Sequence, residues 1–476
     1  MKLIQQGLAG IEQQASFDVV VVGAGGAGLS AALFAALQGA KVLVVERTNR
    51  VGGTTALSAG TTWVPGTQHA AKVNPGDTLE QARVYLDAAV GERSDANLRQ
   101  AFLDHGREAV DLLEQHSAVQ YRPYPKHPDY ISDLPGSTLS GRALEPLPFD
   151  GRLLGDLFKV LREPIPEFTV LGGMMVDRTD INHLLALTQN WTSFKHACKI
   201  LLRHAKDRLS YPRGTRLVMG NALVARLLYS LSQQANVTLA LNTSLTPVQG
   251  QDGYLLQSGS DTKVILVTSG LILASGGFNR HPERRAQMLP GIPAEWSPGA
   301  PGHTGQAHDW AQKLGAQYGQ GAMSNAFWAP MSLRRRADGS QAVFPHFVMD
   351  RAKPGVLTVN RLGQRFVNES TSYHLFGLAM QKGGEALNLP AFLVADARAL
   401  KAYGLGMVRP GGKGLEPFLA DGYLTEGRTL TELAHKLGLP AGALENTVSA
   451  FNQVAAKGVD AEFGRGVTAY QQNLGD

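Results

Sequence analysis

Three glycines, Gly23, Gly25 and Gly28, stand in the spacing G-x-G-x-x-G, and Glu46 follows Gly23 by 23 residues. Together they could hold a dinucleotide. Gly23 permits a tight turn, Gly25 lets a pyrophosphate reach the backbone, and Gly28 lets a helix lie close to a strand; an acid about 20 residues further on accepts hydrogen bonds from an adenosine ribose. Gly26 within the turn and Arg47 beside the acid are grouped with them. This chemistry needs a frame. The glycines must lie where a strand turns into a helix, so that free N–H groups and the positive end of the helix dipole meet the phosphates.

The elements that would supply this frame are legible around the motif. Asp18–Val22 is a short apolar, β-branched run suited to a strand buried on both faces. Leu29–Leu37 is rich in Ala and Leu and predicts a helix, and Lys41–Val45 predicts a second buried strand ending on Glu46. Strand, glycine turn, helix, strand and acid in one unit outweigh a purely structural reading of the glycines. Val51–Gly60, VGGTTALSAG, is then rich in glycine and hydroxyls, and small residues there would let backbone N–H groups reach a flat ring and an anionic linker.

Gly52, Gly53, Thr54, Thr55, Ser58, Ala59 and Gly60 fill the places of GG-(S/T/N)-(T/S)-x-x-(S/A)-(G/A)-G. In this the sequence resembles the flavoproteins of the fumarate reductase and succinate dehydrogenase superfamily. Trp63 and Pro65 are similar to the GG-x-W-x-P continuation of one branch, the 3-ketosteroid Δ1-dehydrogenases, with a Thr in place of the second glycine. The resemblance implies FAD as cofactor. Val237–Thr243 fits the strand beside its adenine, and Ala274, Ser275, Gly276, Gly277 and Phe278 match the A-(T/S)-GGF turn that closes over it. Gly299–Ala316 resembles NTGDG-x-x-x-A-x-x-x-GA, departing at His303, Gln306 and Ala307; His303 and His308 lack the other ligands of a metal site.

The same resemblance implies a pair of tyrosines. Asp129, Tyr130, Leu134, Pro135, Gly136, Gly141 and Arg142 match DY-x-x-x-LPGG-x-x-x-GR, where a loop tyrosine supports the catalytic base; Tyr124 and Tyr121 lie close enough to compete with Tyr130. Asn368, Glu369, Ser370 and Tyr373 match NE-(S/A)-x-x-Y, which makes Tyr373 the implied base. Drawing hydrogen from a carbon next to a ketone needs a base for the α-proton and a hydride acceptor, which FAD supplies. A phenol of unperturbed pKa near ~10 serves as base only if hydrogen bonds favour its phenolate and donors hold the developing enolate. Fumarate reductases use arginines instead, and Arg398 could be a proton donor in that reading.

At 476 residues, 43% hydrophobic and 18% charged, the chain is ordinary globular material for two domains, possibly three. The expected fold is α/β: a Rossmann-like FAD-binding domain over 1–296 with a helical and loop insertion at about 78–210, an inserted α+β substrate domain over 297–459, and a return to the first domain at 460–476. Within the second domain Leu357–Val359 and Gln364–Asn368 are expected to form a strand and its return strand. The resemblance implies further chain after Asp476, bearing a last strand and the oxyanion donors, so a fragment is expected rather than a degenerate protein.

The formal charge is +5 and the isoelectric point about 9.1. The basic residues gather at Lys195–Arg216 and at Arg334–Arg336 without a nucleic-acid motif, and read as a solvated face rather than contact with an anionic partner or a lipid surface. The single cysteine, Cys198, excludes an internal disulfide framework and suits a reducing cytoplasm. No run reaches the length of a membrane span, and Met1–Phe17 lacks the apolar core of a signal peptide. The expected activity is 1,2-dehydrogenation of a 3-ketosteroid or related hydrophobic cyclic ketone, with the reoxidising electron acceptor left open. The alternatives are a fumarate or enoate reductase and an inactive FAD-binding remnant.

Overall fold

The computed structural model describes residues 1–248, 253–319 and 324–473. Its centre is a seven-stranded sheet. Strands β1 (Lys2–Ile4), β2 (Ala15–Val22) and β3 (Val42–Val45) lie parallel with Val237–Ala240 and Asp261–Leu273, in the spatial order β1, Val237–Ala240, β3, β2, Asp261–Leu273. Tyr254–Ser258 and Ser244–Pro247 extend the sheet antiparallel from there.

Val20, Val21, Leu43 and Val44 are fully buried, as expected of parallel strands covered on both faces. One cover is helix α1 (Gly26–Leu37), whose Leu29 and Leu33 share a core with Val21 and Val44. The other face packs Ile4, Leu8, Phe17 and Ile265 against Val20 and Leu43. The strand ending at Leu273 is 13 residues long, starting at Asp261, with a register shift against β2 between Val267 and Gly270.

The stretch after the glycine turns holds four helices: α2 (Leu79–Val90), α3 (Ala96–His116), α4 (Arg178–Leu185) and α5 (Trp191–Asp207). Helix α2 starts at a capping box, with Thr78 Oγ1 accepting from the Gln81 N–H at 3.2 Å and Gln81 Oε1 accepting from the Thr78 N–H at 3.3 Å. Helix α6 (Met219–Ser232) packs against α1 in the first core. The expected loop 118–155 is tied down by a small sheet in which Ala143–Pro146 pairs antiparallel with Tyr121–Pro123 and Thr62–Trp63.

Further on, Met331–Arg335 pairs with Gln341–Pro345, and Val356–Val359 pairs antiparallel with Phe392–Ala395. The expected return strand at Gln364–Asn368 does not form. Arg365 instead joins a buried ion cluster with Glu369 (2.8 Å) and Asp460 (2.9 Å), Glu369 Oε1 accepts from the Thr358 N–H at 3.0 Å, and Val356–Val359 pairs with Phe392–Ala395. Among the described residues no helix is long and apolar enough to cross a membrane.

Candidate functional site

The two glycine turns meet. Gly25 and Gly52 form a parallel bridge, so the loop after β2 and the loop after β3 make one floor. Gly28 faces the end of β2 so closely that a Cβ there would lie 1.9 Å from the Gly23 carbonyl oxygen, which only glycine allows. At Gly25, by contrast, a Cβ would meet nothing within 4 Å, and the residue faces an open cleft.

This cleft is walled by Gly23, Gly25, Gly26, Glu46, Arg47 and Gly53, and also by Thr54, Thr55, Ala274 and Gly276. The structure therefore brings ten of the expected cofactor residues together. Gly28 stands behind them as packing, Gly60 lies against Gly220 at the start of α6, and Gly277 lies outside the cleft wall. Ser58 and Ala59 are exposed, and Ser58 Oγ accepts from the Gly60 N–H at 3.0 Å, shaping the turn. The Glu46 carboxylate, at the end of β3, is held by the Ala24 N–H at 3.1 Å and by the Thr48 N–H at 2.9 Å.

Two further residues line this cleft, Arg162, which no motif announced, and His303, which departs from the NTGDG-type motif. Arg162 follows an isolated bridge between Val51 and Leu161, and its Nη2 donates to Thr48 Oγ1 at 3.0 Å. Its buried Nε has no acceptor among the described residues, and burial lowers its pKa from the ordinary arginine value, Glu46 opposing. His303 stands between Gly276 and Thr54, about 3.4 Å from Thr54 Oγ1. Burial pushes its pKa down, against Glu46 and with help from Arg162 and Arg280. A glycine cradle open where a side chain would fill it, a ribose-type acid and an orphaned guanidinium N–H fit an anionic dinucleotide such as FAD.

The tyrosines form a second centre, away from that wall. Tyr130 and Tyr373 meet edge to face with ring centroids 4.7 Å apart. Phe327 closes on both, at 5.1 and 5.9 Å, and Phe347 lies 5.5 Å from Tyr373. Phe327 is 66% exposed, so this aromatic wall is open to a ligand. Of the competing tyrosines, Tyr121 is buried beneath the small sheet and Tyr124 packs on His127 at 4.7 Å and on Arg178; neither makes a ring contact with Tyr373.

What places Tyr130 is a buried charge network. Arg142, 1% exposed, bonds Asp77 and Asp129 at 2.7 Å each, and Trp63 Nε1 donates to Asp129 at 2.7 Å. On the other side of Tyr130, the Ile131 N–H donates to the hydroxyl of buried Tyr85 at 3.0 Å, whose pKa burial pushes up to about 12. Tyr373 opens the helix Tyr373–Leu387, capped by Ser372. Arg351 fixes the approach to it, donating to the Glu369 and Thr371 carbonyls at 2.7 and 3.0 Å.

The Tyr130 hydroxyl is out of water and has no hydrogen-bond partner of good geometry among the described residues. Burial and then the nearness of Tyr373 raise its pKa above the ordinary phenol value, Arg351 acting the other way. Tyr130 is thus kept protonated, a donor facing its neighbour.

A Rossmann-type sheet with a dinucleotide cleft, and a tyrosine pair in an aromatic wall, define a nucleotide-dependent redox enzyme. A family model described as FAD binding domain matches residues 18–474, and the chain belongs to that family. It is similar to 4-oxocyclohex-2-ene-1-carboxylate 5-dehydrogenase of Sinomonas cyclohexanicum, 36% identical over 96% of this chain and 78% of the relative. It is also 35% identical to 3-oxosteroid 1-dehydrogenase of Mycolicibacterium smegmatis, over 97% and 81%. Among solved structures, the 3-ketosteroid Δ1-dehydrogenase of Sterolibacterium denitrificans, in complex with 1,4-androstadiene-3,17-dione, superposes with a TM-score of 0.83 at 30% identity, covering 97% of this chain and 84% of that one. The protein is an FAD-dependent oxidoreductase of the class acting on CH–CH groups.

Proposed function

We propose that this enzyme desaturates the ring carbons next to the ketone of a hydrophobic cyclic substrate, of the 3-ketosteroid type or a related cyclohexanone, with Tyr373 as base. The contact between Tyr130 and Tyr373 carries the reading. Tyr373 takes the α-proton. Tyr130, held protonated and in edge contact, is the donor that would support the Tyr373 oxygen as base. Phe327 and Phe347 offer an apolar wall for the ring and keep water from the enolate. FAD, when bound in the cleft, supplies the acceptor for the hydride from the neighbouring carbon. Arg162 and the open backbone at Gly25 would hold its anionic linker, and Glu46 its ribose.

A reductase in the fumarate sense would call on an arginine such as Arg398 as proton donor. That side chain is 95% exposed and paired with Asp396 at 3.0 Å. The test is anaerobic mixing of the purified flavoprotein with a 3-ketosteroid and, separately, with a 4-oxocyclohexanecarboxylate, while following loss of flavin absorbance. Tyr373→Phe is expected to slow bleaching by roughly 10²–10⁴-fold with flavin content unchanged. Bound flavin indifferent to both ketones would overturn the reading.

A further inference from the structure

Helices α4 and α5 present a face that the redox chemistry does not use. Helix α5 buries Ser193, Ala197, Ile200 and His204 on one side. On the opposite side Trp191, Phe194 and Leu202 recur at helical spacing, with Leu209 in the turn that follows the helix, and Trp191, Leu202 and Leu209 are 66%, 71% and 85% exposed. From Trp191 to Leu202 the stripe runs for roughly 17 Å at about 1.5 Å per residue. Ile181 and Leu185 of α4 are exposed as well. So large an open apolar run marks a contact surface.

Its charges say what it meets. Lys195, Lys199 and Lys206 are exposed beside the stripe and make no ion pair among the described residues. The one acid of α5, Asp207, is buried against Thr215. Trp191 and Phe194 stack with centroids 5.2 Å apart, and the Lys195 ammonium lies 5.3 Å from the Trp191 ring. In sequence these cations read as a solvated face; in the folded helix Lys195 stands beside the stacked pair of Trp191 and Phe194.

We infer that this face docks on a lipid surface bearing anionic headgroups. Trp, Phe and Leu enter the boundary between headgroups and acyl chains, while the lysines lay their stems along it and reach lipid phosphates. A second copy fits worse, since a two-fold contact would set lysines against lysines across the stripe. Nucleic acid would leave Leu202 and Leu209 without a partner.

The experiment is co-sedimentation of the purified flavoprotein with phosphatidylcholine vesicles, with and without phosphatidylglycerol, at low and high salt. Binding is expected only with phosphatidylglycerol and is weakened by salt. Lys195→Glu, Lys199→Glu and Lys206→Glu together should reduce it by on the order of 100-fold. Leu202→Ser with Leu209→Ser should reduce it too, with flavin content and turnover with a soluble dye acceptor unchanged. Both variants change exposed side chains, and retained flavin shows that each has folded. Failure of the wild type to bind anionic vesicles, or equal binding by both variants, overturns the inference. So does a concentration-dependent dimer that Leu202→Ser dissolves, which would assign the face to a second copy.

Discussion

The cofactor cleft and the tyrosine pair are built by opposite means. Around the cleft the positioning is done by backbone: two glycine turns bridged at Gly25 and Gly52, an acid held by main-chain N–H groups, and apolar strands covered on both faces. Around the tyrosines it is done by buried charge. Arg142 sits between Asp77 and Asp129 behind Tyr130, and Arg365, Arg465, Glu369 and Asp460 cluster ahead of Tyr373. A backbone site tolerates little added volume. A charge-built site tolerates no missing partner, because removing one ion of a buried set strands the others.

The sharpest way to test this difference is Arg142→Met. It leaves Asp77 and Asp129 buried without a cation, and should cost about 3–5 kcal/mol of stability, measured by urea unfolding. Replacing all three partners with apolar residues should restore much of the loss while misplacing Tyr130. On the cleft side, Gly28→Ala forces a Cβ against the Gly23 carbonyl and should cost about 1–3 kcal/mol together with flavin retention. Gly25→Ala separates the two properties: its φ of −80° suits alanine, so thermal stability should hold while the flavin-to-protein absorbance ratio falls. If Gly25→Ala unfolds the protein instead, the cleft is not merely a cradle.

The smallest effect concerns His303. Its pKa is lowered by burial, so between that value and the ordinary ~6.5 the unfolded chain binds the extra proton. Stability of the apoprotein should therefore rise with pH through that window and fall as pH drops below about 6.5. His303→Asn should flatten that slope by under about 1 kcal/mol, read from thermal midpoints between about pH 7 and about pH 5.

The same contrast decides what was legible beforehand. Glycine spacing, β-branched runs and the step from Gly23 to Glu46 are local patterns, and ten of the expected cofactor residues do line one cleft. Tyr130 and Tyr373 were named through resemblance, and the fold sets them in edge contact; nothing local says that residues 243 positions apart should touch. Asp77 lies 65 residues before Arg142, and although Asp129 and Arg142 share one motif, nothing periodic marks the ion pairs among the three. The return strand expected at Gln364–Asn368 does not form, since Arg365 has partners at Glu369 and at distant Asp460 that no local pattern shows. Arg162 was missed because a lone arginine after a short bridge has no signature.

Asp129 binds Arg142 with one carboxylate oxygen and the Trp63 indole with the other, and Trp63 lies just after the glycine floor. Anyone grafting a new substrate loop onto this scaffold would therefore have to move Trp63, Asp77 and Arg142 with it. Shuffling that loop alone would deliver a tyrosine with no fixed address, and the cassette to exchange runs from Thr62 to Pro146 as one block.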